Sequence, residues 1–180
     1  MKCVAIGGVP ATGKTTLVRS LLGFIQPKTK FKYGLLRGYV ETKRNISILG
    51  IYERQEVFAG TDKLSMAVQS DFDKYIDKFE KNILFEGDRL FTGTNLEKLC
   101  NSYDTRIIVL ENIPETLDFR HNHRGDNQSE KFKKSRITKI NNICTNQRLA
   151  KNIEHYSLNT PKETESLAKE LNDWLDISSH

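Results

Sequence analysis

The sequence predicts an α/β domain, a three-layer sandwich with helices on both sides of a parallel sheet. Three observations carry this. β-type and helix-type patterns alternate along the chain, as crossover-connected parallel strands require. The chain opens on an apolar run, Met1 to Gly7, that passes through a glycine-bearing turn into an amphipathic pattern. Thr105-Arg106-Ile107-Ile108-Val109-Leu110 is nearly all apolar and β-branched, the composition of a strand buried on both faces.

The elements follow in order. After the first strand, Leu17, Val18, Leu21, Leu22 and Ile25 share one face at helical spacing, so a helix begins at Gly13 or Lys14 and ends at Gln26-Pro27. Leu35 to Val40 and Ile46 to Tyr52 are β-type runs joined by the polar stretch Glu41 to Asn45. They read as a hairpin inserted over about 34–52, or as two strands of which one joins the main sheet. Leu64, Val68, Phe72, Tyr75, Ile76 and Phe79 then recur every three or four residues, predicting a long helix from Thr61-Asp62 onward. Asn82 to Glu86 is a short buried strand ending in a carboxylate, and Thr94-Asn95-Leu96-Glu97 has the form of a capping box.

Beyond the strand at 105–110, a charged segment over about 114–136 falls where a mobile lid would, and a helix follows to about Arg148. Ile153 to Leu158 is the last strand. Thr160-Pro161-Lys162-Glu163 is a second capping box, opening a helix whose stripe is Leu167, Leu171, Trp174 and Leu175. The 180 residues make one domain, 1–180, with no internal repeat and no linker.

Composition narrows the function classes. No apolar run is long enough to span a bilayer, and Lys2 followed directly by the glycine turn leaves no room for a cleavable leader. No membrane partner and a cytoplasmic location are therefore expected. Cys3, Cys100 and Cys144 are odd in number and lack metal-type spacing, which predicts reduced thiols. His121 and His123 have no cysteine pair beside them, so a zinc site is not expected. The net charge of +5 favours an anionic partner, either a nucleotide alone or a polynucleotide.

The chemistry is concentrated at the first turn. Gly8-Val9-Pro10-Ala11-Thr12-Gly13-Lys14-Thr15 satisfies Gly-x-x-x-x-Gly-Lys-[Ser/Thr], between a strand and a helix, the context in which that motif wraps a polyphosphate. Backbone N–H groups and the helix dipole face the anion, and the two glycines allow close approach. Lys14 is expected to reach the β- and γ-phosphates of a nucleoside triphosphate. Thr15 is expected on Mg²⁺, and Thr16 is supporting.

Ligands of such sheets lie beyond the carboxyl ends of the strands. Glu86-Gly87-Asp88-Arg89 follows a strand directly, so Glu86 is a candidate to hold a magnesium-bound water and Asp88 to deprotonate an acceptor hydroxyl. The competing reading is that Glu86 merely ends the strand and Asp88-Arg89 form a surface pair. Asp62, after Gly60-Thr61, is the other acceptor-side carboxylate, or an ordinary helix N-cap. Arg120, Arg124 and Arg136, with Lys131, Lys133 and Lys134 among them, fall in the charged segment. Phosphoryl transfer gains from such cations, with Arg120 and Arg124 favoured.

The phosphate loop, the apolar strand ending in Glu86-Gly87 and the arginine-rich segment before the last strand together resemble the nucleoside and nucleotide kinase branch of the P-loop fold. Leu49-Gly50-Ile51-Tyr52, Phe58-Ala59-Gly60-Thr61-Asp62-Lys63-Leu64-Ser65, Phe85-Glu86-Gly87-Asp88-Arg89 and His123-Arg124-Gly125-Asp126 look like bacteriophage P-loop kinases of DNA-base modification. They are most similar to hydroxymethyluracil DNA kinases. The resemblance implies a P-loop kinase sheet and the use of ATP with Mg²⁺. It also implies transfer of the γ-phosphoryl group to the hydroxymethyl group of a modified pyrimidine in DNA, and a phage origin would place the protein in the host cytoplasm.

Lys14 and Thr15 match the triphosphate and metal roles of that family, and Asp62, Asp88 or both become acceptor-side candidates. Glu86 stands where many P-loop proteins carry Asp. Two other readings remain. One is a deoxynucleoside monophosphate kinase acting on free nucleotides. The other is a nucleotide-hydrolysing switch or DNA-binding ATPase, which needs a water-positioning residue and an arginine from a partner.

Overall fold

The computed structural model describes residues 1–53, 59–111 and 130–176. Its centre is a seven-stranded mixed sheet in the order β2-β3-β4-β5-β1-β6-β7. The strands are β1 (Lys2–Gly8), β2 (Thr29–Tyr33), β3 (Leu36–Glu41), β4 (Ile46–Leu49), β5 (Asn82–Glu86), β6 (Asp104–Glu111) and β7 (Ile153–Ser157). The helices among the described residues are α1 (Lys14–Ile25), α2 (Gln69–Lys78), α3 (Gly93–Ser102), α4 (Glu130–Cys144) and α5 (Pro161–Asp176).

β4, β5, β1, β6 and β7 pair in parallel, while β3 runs antiparallel to β4 and β2 antiparallel to β3. Every residue of β1 is buried, and its side chains alternate between two cores with the strand's period of two. Cys3 and Ala5 join the core beneath α2, α3 and α4, with Phe72, Leu96 and Ile140. Val4 and Ile6 join the core beneath α1 and α5, with Leu17, Leu21, Leu167 and Leu171. The sheet is thus covered on both faces, as the alternating patterns require.

The two runs at 35–52 form an antiparallel pair, and of the two readings the one in which a strand joins the main sheet is the one found. They are β3 and β4, continuous with that sheet, and β4 pairs in parallel with β5. Other expectations change in detail. A further strand, β2, extends the same edge. Its Thr-Lys-Phe-Lys-Tyr alternation is the signal that marks it, with Phe31 and Tyr33 turned to the core and the lysines exposed.

The predicted long helix is shorter. A 3-10 turn, Thr61–Lys63, comes first, and α2 starts only at Gln69. Leu64 and Val68 are nonetheless buried, so their helical spacing reflects burial without a helix. The cap of α3 is Thr92, whose hydroxyl accepts from Asn95 N at 3.3 Å, rather than Thr94. The second capping box forms as expected. Thr160 Oγ1 accepts from Glu163 N at 3.2 Å, and Glu163 Oε2 accepts from Thr160 N at 2.9 Å.

Of the predicted lid, residues 114–129 lie outside the described residues, while its end is the first part of α4. No helix among the described residues is long and apolar enough to cross a membrane.

Candidate functional site

The carboxyl ends of β1 and β5 lie side by side because these strands pair in parallel, with Ile6 opposite Glu86. Whatever leaves β1 therefore meets whatever leaves β5. The turn leaving β1 takes unusual backbone conformations. Gly8 has φ +139°, and a Cβ there would stand 2.4 Å from Leu110 O, so the close approach of β6 demands glycine. Ala11 (φ 66°) and Gly13 (φ 97°) are also left-handed.

The turn is held by its own side chains. Thr12 Oγ1 donates to Val9 O at 2.9 Å, and Lys14 Nζ donates to Gly8 O and Val9 O, each at 2.8 Å. Gly13 is the N-cap of α1, no side chain caps that helix, and its first turn carries no acidic residue. A helix start with no side-chain cap and no acidic residue of its own, behind a turn of left-handed backbone, is a favourable surface for an anion. The expected phosphate-binding segment, Gly8, Pro10, Ala11, Thr12, Gly13, Lys14, Thr15 and Thr16, divides on inspection. Pro10 has no N–H to offer, the Thr12 hydroxyl serves the turn itself, and Thr16 is exposed.

Thr15 and Glu86, 71 residues apart, meet directly: Thr15 Oγ1 donates to Glu86 Oε1 at 3.1 Å. Glu86 is 2% exposed. Burial pushes its carboxyl from the usual 4.5 up to about 7; the Lys14 ammonium and the Thr15 hydroxyl oppose the rise, and the Asp62 and Asp88 carboxylates add to it. Hydroxyl and carboxylate oxygens are the donors magnesium accepts, and that ion takes one or two protein ligands while keeping waters and phosphate oxygens. The pair fits such an ion. No group of three or more His, Cys, Asp or Glu suited to a metal occurs among the described residues, so a dedicated all-protein metal cage is not what this site offers.

Asp62 reaches the same place through its neighbours. Gly60 exchanges two backbone bonds with Ile51, at 2.8 and 3.0 Å. Its φ is +76°, and a Cβ on it would lie 2.4 Å from Glu86 Oε1. Thr61 Oγ1 donates to Glu86 O at 2.9 Å. The turn is thereby fastened to the end of β5, and Asp62 Oδ1 accepts from Arg89 N at 3.1 Å. Burial raises the Asp62 carboxyl, and the nearby Asp88 charge raises it further. Asp62 is not the N-cap of a long helix, since it lies within the 3-10 turn Thr61–Lys63, whose N-cap is Gly60.

Asp88 does not form a surface pair with Arg89. Its Oδ2 lies 3.0 Å from Arg136 Nε and its Oδ1 4.0 Å from Lys139 Nζ, both from α4, and its backbone O accepts from Lys139 Nζ at 2.7 Å. Burial lowers the Lys139 ammonium, which Asp88 partly offsets. Lys139 was absent from the expected set, although it stands three residues after Arg136, the spacing that places two helical residues on one face. Arg89 adds a buried Nε with no hydrogen-bond acceptor among the described residues. Arg120 and Arg124 lie outside the described residues.

The site thus gathers Asp62, Glu86 and Asp88 with Lys14, Arg89, Arg136 and Lys139 beyond the ends of β1 and β5. Such a set can bind a polyanion, hold a hard cation and take a proton from a hydroxyl. No protein-family model matches the chain, and no curated protein matches it.

Proposed function

We propose that the chain is an ATP- and magnesium-dependent phosphotransferase, and that its acceptor is the hydroxymethyl group of a modified pyrimidine in DNA. The observation that carries the phosphotransferase reading is the bond from Thr15 Oγ1, the last position of the phosphate-loop motif, to the buried Glu86 at the end of the adjacent parallel strand. A structural glycine turn has no need of a buried carboxylate whose ionised form is so disfavoured. The DNA acceptor rests on the sequence resemblance described above and on the basic charge balance.

In this reading the loop and the start of α1 hold the triphosphate, with Lys14 leaving its loop carbonyls for the phosphates. Thr15 and Glu86 would hold the metal, which when bound neutralises triphosphate charge. The acceptor oxygen attacks the γ-phosphorus and the bridging bond to the β-phosphate breaks. The hydroxyl proton passes to Asp62, and ADP leaves with the bond's electron pair. Asp62 suits the role of base better than Asp88 does. Its carboxyl is raised toward the operating range, whereas Asp88 is engaged by two cations of α4. Asp88 instead anchors Arg136 and Lys139 beside the site. The buried Arg89 Nε is a donor suited to a substrate oxygen.

The test is incubation with γ-labelled ATP and magnesium in three arms: DNA containing hydroxymethyluracil, the same DNA with thymine, and free pyrimidine mononucleotides. Label on the modified DNA alone is expected. Label only on mononucleotides overturns the acceptor assignment in favour of a nucleotide kinase. Release of free phosphate with no labelled acceptor in any arm overturns the transferase reading in favour of a hydrolytic switch.

A further inference from the structure

The outer edge of the sheet carries a groove that the catalytic reading leaves unused. Its volume is about 310 Å³, and Lys30, Lys32, Arg37, Tyr39, Ile51 and Glu53 are among its walls. In the β2–β3 ladder, Lys30 stands opposite Tyr39 and Lys32 opposite Arg37. Strand alternation therefore puts the three cations on one face, and directly opposed residues lie about 5 Å apart. All three are exposed, and among the described residues none has an ion-pair partner. Among the described residues Glu53 supplies the single carboxylate of the wall, so the described lining carries a net positive charge.

Lysines on an edge strand also keep it from pairing with other chains. That role accounts for Lys30 and Lys32 on β2. It does not account for Arg37, which lies on the inner strand β3 directly across from Lys32. Like charges so opposed destabilise a ladder, and an anion between them relieves the repulsion.

The groove also adjoins the site. Ile51, in its wall, exchanges backbone bonds with Gly60, which abuts the Glu86 carboxylate. The edge is held firmly, because Asp71 of α2 accepts from Leu35 N at 2.7 Å in the β2–β3 turn and Phe31 stacks on Tyr75 at 5.1 Å. A small nucleotide would be served by the phosphate loop and the three carboxylates alone. A cationic groove beside them on the sheet edge fits a long anion.

We infer that this groove binds the sugar–phosphate backbone of the DNA strand that carries the acceptor, with Lys30, Lys32 and Arg37 on phosphates and the ring of Tyr39 available to a base. The inference rests on the DNA-kinase reading and names the surface that reading requires. Aromatic rings set in a positive groove are the usual means of holding a single strand.

The experiment is fluorescence anisotropy with a labelled single-stranded oligothymidylate and no nucleotide, over a series of salt concentrations. The triple variant K30A/K32A/R37A is compared with the wild type and with K43A/K74A/K151A, which removes the same charge from exposed positions elsewhere. Losing three phosphate contacts makes the plot of log affinity against log salt shallower by about 2 for single strands. The groove variant is expected to show that change, with affinity falling on the order of a hundredfold at about 0.1 M salt, while the control triple keeps the wild-type slope.

Equal losses in both triples, an unchanged slope in the groove variant, or no strand binding by the wild type would each overturn the inference. Thermal melts that coincide with the wild type confirm that both triples are folded. The readout involves no ATP, so it stands or falls separately from phosphoryl transfer.

Discussion

Replacing Glu86 by Gln tests the central carboxylate through stability as well as activity. The substitution keeps the shape and leaves Oε1 to accept from Thr15, but removes the charge. The rise of the carboxyl from 4.5 to about 7 corresponds to about 3 kcal/mol of free energy set against its ionised form. The sign follows from proton binding. The folded chain holds this proton more tightly than the unfolded chain does, so the native state loses stability as pH rises from about 4.5 through about 7. The penalty is absent below that window and fully present above it.

Gln carries no such penalty. Integrating the two titrations, the stability of Glu86→Gln relative to the wild type should increase by roughly 2 to 3 kcal/mol between about pH 5 and about pH 8. Urea unfolding of both proteins at these two pH values, without nucleotide or metal, measures it. The same variant should lose phosphoryl transfer and magnesium-dependent nucleotide affinity. A stability difference that stays flat with pH would refute the claim that burial of an ionisable Glu86 strains the site, and with it the main physical argument for a functional carboxylate.

Two further outcomes are expected. Asp62→Asn should lower kcat on the DNA acceptor by about 10²- to 10⁴-fold, the usual contribution of a general base, while the affinity for ATP measured by equilibrium binding stays close to wild type; retained kcat would remove Asp62 from the role. Gly60→Ala places a Cβ 2.4 Å from Glu86 Oε1 at a φ of +76°, so urea denaturation should show a loss of at least about 2 kcal/mol. A loss below about 0.5 kcal/mol would mean that the turn is not clamped on Glu86 as described.

Local signals in the chain were sufficient for the outline of this protein. The β1–turn–α1 unit, β5 to the residue, β6, and the capping box of α5 are written in contiguous stretches, because strand period, helix period and capping chemistry act over a few residues. Elsewhere burial imitated a local pattern. Leu64 and Val68 continue the spacing of α2 but belong to a turn, since a core can be filled at helical intervals without a helix. Edge strand β2 was marked only by a five-residue alternation, too brief to stand out beside the longer apolar runs.

By itself the sequence determined that a glycine-bearing turn joins the first strand to the first helix, that a carboxylate ends the strand at Glu86, and that helices and strands alternate around one sheet. Tertiary structure decided which strands are neighbours, and hence everything that depends on adjacency. The pairing of β5 with β1 sets Glu86 against Thr15. The bridge from Ile51 to Gly60 brings Asp62 beside them, and the docking of α4 gives Asp88 to Arg136 and Lys139. Such contacts join residues tens of positions apart, where no periodicity or spacing reaches; they exist only once hydrophobic burial has chosen a strand order.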